Sequence, residues 1–112
     1  MIDLKPDHCS RLLGILSDPL RLKIIECLGN GARSVGELAK CLDKHIVKVS
    51  HHLAVLRKAG FVKFNRRGKF IYYELQSGLI SSTNIVERPT HLDLGCCRLE
   101  ILKVSKNFAN KV

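Results

Sequence analysis

A mainly α-helical domain carrying one β-hairpin is the fold class this sequence predicts, and three observations predict it. Apolar residues recur at helical spacing through the first half of the chain, where Val35, Leu38, Ala39 and Leu42 fall at i, i+3, i+4 and i+7. Helix start and stop signals bracket such runs: Asp18-Pro19 opens one and Gly29-Asn30-Gly31 closes it. Beyond residue 60 the pattern changes to short aromatic and β-branched runs around a turn-rich link, as in a hairpin.

Pro6 and Asp7 open a first helix, expected to run to about Leu16 and to bury Leu12, Ile15 and Leu16. In the second, Asp18 fits the N-cap and Pro19 the first helical position, and Leu20, Ile24, Cys27 and Leu28 line one face. Ser34 followed three residues later by Glu37 is a capping box that starts the third. The fourth carries Ile46, Val49, Leu53 and Leu56 on one side. At 100° per residue Lys44, Lys48 and His51 project from the other, and Gly60 follows the end. Residues 61–64 and 69–75 read as strands joined by Asn65-Arg66-Arg67-Gly68.

Two helices joined by a tight turn and followed by a hairpin make a winged helix-turn-helix. In a helix-turn-helix the second helix lies in the DNA major groove, and its first turns reach base edges and phosphates. The basic stripe sits on that helix. The hairpin tip adds Arg66, Arg67 and Lys69, cations suited to phosphate or minor-groove contact.

Composition agrees. Lys and Arg total 19 against 10 Asp and Glu, a net charge of +9 and a pI near 9.6, which suits a polyanion. A merely solvated basic surface is the alternative, and the placement of the charges on one reading face argues against it. No run approaches the roughly eighteen apolar residues a membrane span requires, and the first residues lack a secretory apolar region, so the chain is expected in the cytoplasm with no membrane partner. Five cysteines, an odd number without framework spacing, are expected to be reduced there. A phosphate-binding glycine loop, a Cys-x-x-Cys motif and an acid/base constellation are all missing, which argues against an enzyme. The 112 residues form one domain near the lower end of sizes that bury a dependable core alone, so pairing into a dimer would add buried surface.

The segments 16–25 (Leu-Ser-Asp-Pro-Leu-Arg-Leu-Lys-Ile-Ile), 36–39 (Gly-Glu-Leu-Ala) and 49–62 (Val-Ser-His-His-Leu-Ala-Val-Leu-Arg-Lys-Ala-Gly-Phe-Val), with Arg67-Gly68-Lys69 and Tyr72-Tyr73, resemble the ArsR/SmtB family of winged-helix repressors over residues 7–75. The resemblance implies a homodimer on a palindromic double-stranded DNA operator, released by an effector. The candidate DNA contacts are then Lys44, Lys48 and His51 of the basic stripe, His45 and Ser50 on the same helix start, and Arg66, Arg67 and Lys69 of the hairpin tip, with His51 also matching the family motif. His45 replaces the small polar residue that usually starts the reading helix, as a cap substitute or a DNA contact. His52 reads as a packing residue.

Residues 1–78 thus form the expected DNA-binding domain and 79–112 an atypical tail. Where the family carries a long C-terminal helix, Ser81-Ser82-Thr83-Asn84, Pro89 and Gly95 interrupt any helical pattern. Residues 91–102 are expected to be extended or irregular, with Leu92 and Leu94, then Leu99 and Ile101, alternating as in a strand; 103–112 are expected to fray.

Members of the resembled family release DNA on binding metals or metalloids. One of their sites, a Cys-x-Cys pair, is absent because Ser34 and Gly36 occupy its positions; another, on the C-terminal helix, lacks its helix. Cys96-Cys97 remains, adjacent thiols suited to a soft centre. The resemblance adds Cys9, because both chain ends meet at the dimer interface in this family. Three thiolates would complete a trigonal As(III) or antimonite site, with no metal required for folding. His8 and His91 would instead suit zinc, cadmium or another borderline ion. The alternative is a redox or reactive-sulfur sensor in which the same thiols are oxidised. A protein-interaction winged helix is the further contrast, with little use for the basic face. Cys27 and Cys41, each on the apolar side of its helix, are expected to be core.

Overall fold

Chain order in the computed structural model, which describes residues 6–77 and 90–101, is α1 (Pro6–Leu16), α2 (Pro19–Leu28), β1 (Arg33–Ser34), α3 (Val35–Leu42), α4 (Ile46–Lys58), β2 (Val62–Arg67), β3 (Phe70–Leu75), β4 (Thr90–Asp93) and β5 (Arg98–Ile101). Helix ends are held by the expected side chains. The Asp18 carboxylate accepts the N–H groups of Leu20 at 2.8 Å and Arg21 at 3.2 Å, capping α2. Ser34 Oγ accepts from Glu37 N at 3.1 Å while Glu37 Oε1 accepts from Ser34 N at 2.8 Å, closing the capping box of α3. Asp43 ends α3 in the left-handed conformation, φ 53°, so only Asp43, Lys44 and His45 separate it from α4. Gly60, at φ 90°, turns the chain out of α4, and Phe61 N donates back to Leu56 O at 2.9 Å.

The helices converge on one core. Leu16, Leu20, Ile24, Ile25, Leu28 and Leu38 meet Val49, Leu53 and Leu56 from α4, with Phe61, Val62 and Leu75 closing it below the wing. Leu12 and Ile15 are half-buried against it.

The main sheet is antiparallel in the order β1-β3-β2. β1 is too short to carry any sequence pattern, and Arg33 and Ser34 become strand only by pairing with Tyr73 and Tyr72. The wing differs from the expected link over residues 65–68: β2 continues to Arg67, which pairs with Phe70, leaving only Gly68-Lys69 as the turn, with Gly68 at φ 62°. Cross-strand contacts hold these turn-type residues in the strand. The Asn65 amide donates to Glu74 Oε1 at 3.1 Å, and the Arg67 guanidinium lies 5.1 Å from the Tyr72 ring centre.

Where the resembled family has a helix, β4 and β5 form an antiparallel hairpin pairing Leu92 with Leu99 and Asp93 with Arg98. Its turn is closed by Leu94 N donating to Cys97 O at 2.9 Å and by Gly95 N donating to Asp93 Oδ1 at 2.9 Å. Leu92 and Leu94 enter the core. The expectations for 81–84, Pro89 and 103–112 lie outside the described residues.

Candidate nucleic-acid interface and thiol cluster

α4 turns Val49, His52, Leu53 and Leu56 inward, and Lys48, Ser50 and His51 lie exposed, as do Lys44 and His45 just before the helix. His45 is the N-cap: its Nδ1 accepts the Val47 N–H at 3.2 Å, standing in for the usual small polar residue. Ile46 departs from the expected buried stripe and is 48% exposed, because it starts the helix one turn before the first core contact at Val49. Val47 is 67% exposed beside Lys48 and His51. Its signal was available in the sequence: at 100° per residue it lies opposite the Val49, Leu53 and Leu56 stripe.

The wing is anchored to this helix. The Arg57 guanidinium lies 5.0 Å from the Phe64 ring centre, tying α4 to β2. Arg66, Arg67 and Lys69 are exposed on the hairpin. A cleft between α2 and α4, lined by Asp18, Lys23, Lys44, Lys48 and His52 among others, brings Lys23 to the same basic face. Sequence reasoning missed Lys23 because helix packing, not spacing, sets it beside α4.

Behind that face, His52 is only 8% exposed and its Nδ1 accepts from Arg21 Nε at 3.0 Å, while Arg21 Nη1 donates to Ile15 O at 3.0 Å. Burial holds the His52 pKa below its ordinary value; Asp18 opposes this, whereas Arg21, His51 and Lys48 add to it. A neutral imidazole is also what the Arg21 bond needs, since a protonated Nδ1 cannot accept. The unfolded chain therefore takes up a proton at about pH 6.5, where the folded one does not. Stability is expected to fall as pH drops through about 6.5 and to level off below the depressed folded value. Urea midpoints between pH 8 and pH 5 check this, and a His52→Gln variant should flatten the curve.

The second site joins distant parts of the chain. Cys9 on α1 and Cys96 in the β4–β5 turn are joined by a disulfide with Cα atoms 5.8 Å apart, which corrects the expectation that all five cysteines are reduced. Hairpin packing onto the core brings them together, a proximity sequence spacing does not carry. Cys97 Sγ lies 3.7 Å from Cys9 Sγ, and all three sulfurs lie within 4.8 Å of one another. Among the described residues this is the only such group of three or more His, Cys, Asp or Glu donors, so neither His8 nor His91 joins it. Cys27 is half-buried and packs against the core, whereas Cys41 is corrected: it is exposed, because it lies on the rim where α2 meets α3.

Comparison with known proteins agrees with the helix-turn-helix geometry. A helix-turn-helix domain family matches residues 16–63. The chain is 34% identical over 68 residues to the transcriptional repressor SdpR of Bacillus subtilis, covering 61% of this chain and 76% of that one. It is 38% identical over 66 residues to the arsenical resistance operon repressor of Escherichia coli, covering 58% of this chain and only 56% of that protein. Among solved structures, a homodimeric winged helix-turn-helix DNA-binding domain from Mycobacterium bovis superposes with a TM-score of 0.60 at 28% identity, covering 64% of this chain and 67% of that one. Among the described residues no helix is long and apolar enough to cross a membrane.

Proposed function

Because the chain belongs to the ArsR/SmtB family of winged-helix transcriptional repressors, we propose that it is a cytoplasmic homodimer that represses from a palindromic operator and is released when a thiophilic metalloid, arsenite first, engages Cys9, Cys96 and Cys97. The observation that carries the effector reading is the gathering of three sulfurs within 4.8 Å from two ends of the chain. Three thiols fit a centre with three exchangeable positions once the Cys9–Cys96 bond is reduced; each thiol proton then leaves as water with an arsenite hydroxyl. That disulfide also favours a second reading, sensing of oxidant by the same residues. There, two thiols pass two electrons to a hydroperoxide, which leaves as an alcohol and water.

Either event acts on one hairpin. Asp93 and Leu94 share a cleft with Leu12 of α1 and with Ala59, Gly60 and Phe61 at the end of α4. A hairpin reshaped by its thiols would press on the exit of the reading helix. Release requires the effector to bind the DNA-free form more tightly, by a coupling of typically ~1–3 kcal/mol. The deciding experiment titrates reduced protein on its promoter DNA with arsenite, zinc, cadmium and, separately, a hydroperoxide, alongside a Cys96→Ser/Cys97→Ser variant. Release by arsenite of the unaltered protein alone supports the metalloid sensor. Release by hydroperoxide alone replaces it with the redox reading, and release by none removes the thiols from signalling.

On DNA, the two reading helices of the dimer are expected ~34 Å apart in successive major grooves, with Lys44, His45, Lys48, Ser50, His51, Arg66, Arg67 and Lys69 at the duplex. The exposed Val47 side chain suits the one apolar group of the major-groove edge, the thymine methyl. Uracil substituted for thymine at single operator positions should weaken binding at one position per half-site. In Val47→Ala that penalty should vanish; if it persists in the variant, Val47 does not read the methyl.

A further inference from the structure

A second pair of thiols lies outside the three-cysteine cluster. Cys27, in the last turn of α2, and Cys41, in the last turn of α3, place their sulfurs 3.7 Å apart. Cys41 is open to solvent and Cys27 half-buried, so a small molecule can reach both from outside. The two remain unbonded in the structure in which Cys9 and Cys96 are joined.

We propose that Cys27 and Cys41 form a separate two-thiol binding site for trivalent arsenic carrying one carbon substituent. The donor count selects the ligand class. Among the described residues no third His, Cys, Asp or Glu donor completes a group of three with this pair. Inorganic arsenite has three exchangeable positions and structural zinc wants four ligands, whereas R–As(OH)2 has two. The reaction is a condensation: two As–S bonds form, two As–O and two S–H bonds break, and each thiol proton departs with a hydroxyl as water. Arsenic stays trivalent and nothing is oxidised.

The state of the Cys27 thiol agrees with that chemistry. Burial, reinforced by the adjacent Cys41 thiol, pushes the Cys27 thiol up to about 12. A group held protonated is a poor entry point for oxidation or for a bare cation, both of which need thiolate. Condensation with an As–OH group consumes the neutral thiol with no net change of charge. The product ties the end of α2 to the end of α3, the helix on which α4 packs.

The test is independent of DNA release and of the first cluster. In a Cys9→Ser/Cys96→Ser/Cys97→Ser variant these are the only two cysteines left. Phenylarsine oxide should add one phenylarsenic group per chain by intact mass. The adduct should protect both thiols from alkylation, resist excess glutathione and yield to a dithiol such as dimercaprol. Further replacement of either Cys27 or Cys41 by Ser should abolish the glutathione-resistant adduct. Absence of the adduct, its persistence with one thiol removed, or loss of two hydrogens to a disulfide without arsenic uptake would overturn the proposal. If the triple variant loses its helical circular dichroism, the same reagent on the unaltered chain is read from alkylation of the tryptic peptides 24–33 and 41–44. Failure of arsenite to release DNA would leave this result untouched, since it concerns the other three cysteines.

Discussion

Replacing Leu53 by alanine is expected to remove about 2–5 kcal/mol of unfolding free energy. Leu53 is fully buried at the middle of α4, the helix that packs at once on α2, α3 and β2. The cavity would therefore open where three elements meet, and none of them can collapse into it without leaving the others. Against the 5–15 kcal/mol of a typical domain, that loss approaches half of the total. Urea unfolding should show it as a midpoint lowered by about 1–3 M with an unchanged slope. Val47→Ala, on the exposed face of the same helix, should move stability by no more than about 0.5 kcal/mol. A Leu53→Ala midpoint within error of the unaltered protein would mean that α4 does not sit in the core as described.

The largest expected effect on DNA binding comes from replacing Lys48, Arg66 and Arg67 together by alanine. All three are exposed, one on the reading helix and two on the wing. Each phosphate contact contributes about 0.9 to the slope of log K against log salt, so losing three should flatten the slope by about 2.7. At 0.1 M salt the same exponent corresponds to an affinity lower by about 500-fold. Fluorescence anisotropy of a labelled operator over a salt series separates the three: each single variant should flatten the slope by about 0.9, and one that leaves it unchanged does not touch a phosphate. None of the three is buried, so stability should fall by no more than the exposed Arg67–Tyr72 contact contributes, about 0.5–1 kcal/mol, which keeps the loss from being mistaken for unfolding.

Much of the reading head was legible from short-range rules. The Asp18 cap, the Ser34 and Glu37 box, the Gly60 exit and the wing strands each follow from chemistry within a few residues, and the helical stripe identified Val49, Leu53 and Leu56 as core. The errors fall where the same rules end. Ile46 fits the stripe by spacing, yet it stays 48% exposed while Val49, one turn on, makes the first core contact. Asn65, Arg66 and Arg67 have turn-forming composition, yet cross-strand partners hold them in β2.

The candidate chemical sites divide the same way. That Cys96 and Cys97 stand out was visible in the chain, because adjacency needs no fold. Their neighbour was not a matter of spacing: Cys9 lies 87 residues from Cys96, and only the packing of Leu92 and Leu94 into the helical core carries the hairpin turn to α1. Cys27 and Cys41, read separately as core residues, meet because α2 and α3 cross near their ends, and that crossing leaves one sulfur in solvent. Local sequence specifies helices, caps, turns and the sign of a surface, since these depend on bonds within a turn or two. Which side chains from different elements touch depends on the volume each core residue fills, and that is decided only when the elements pack.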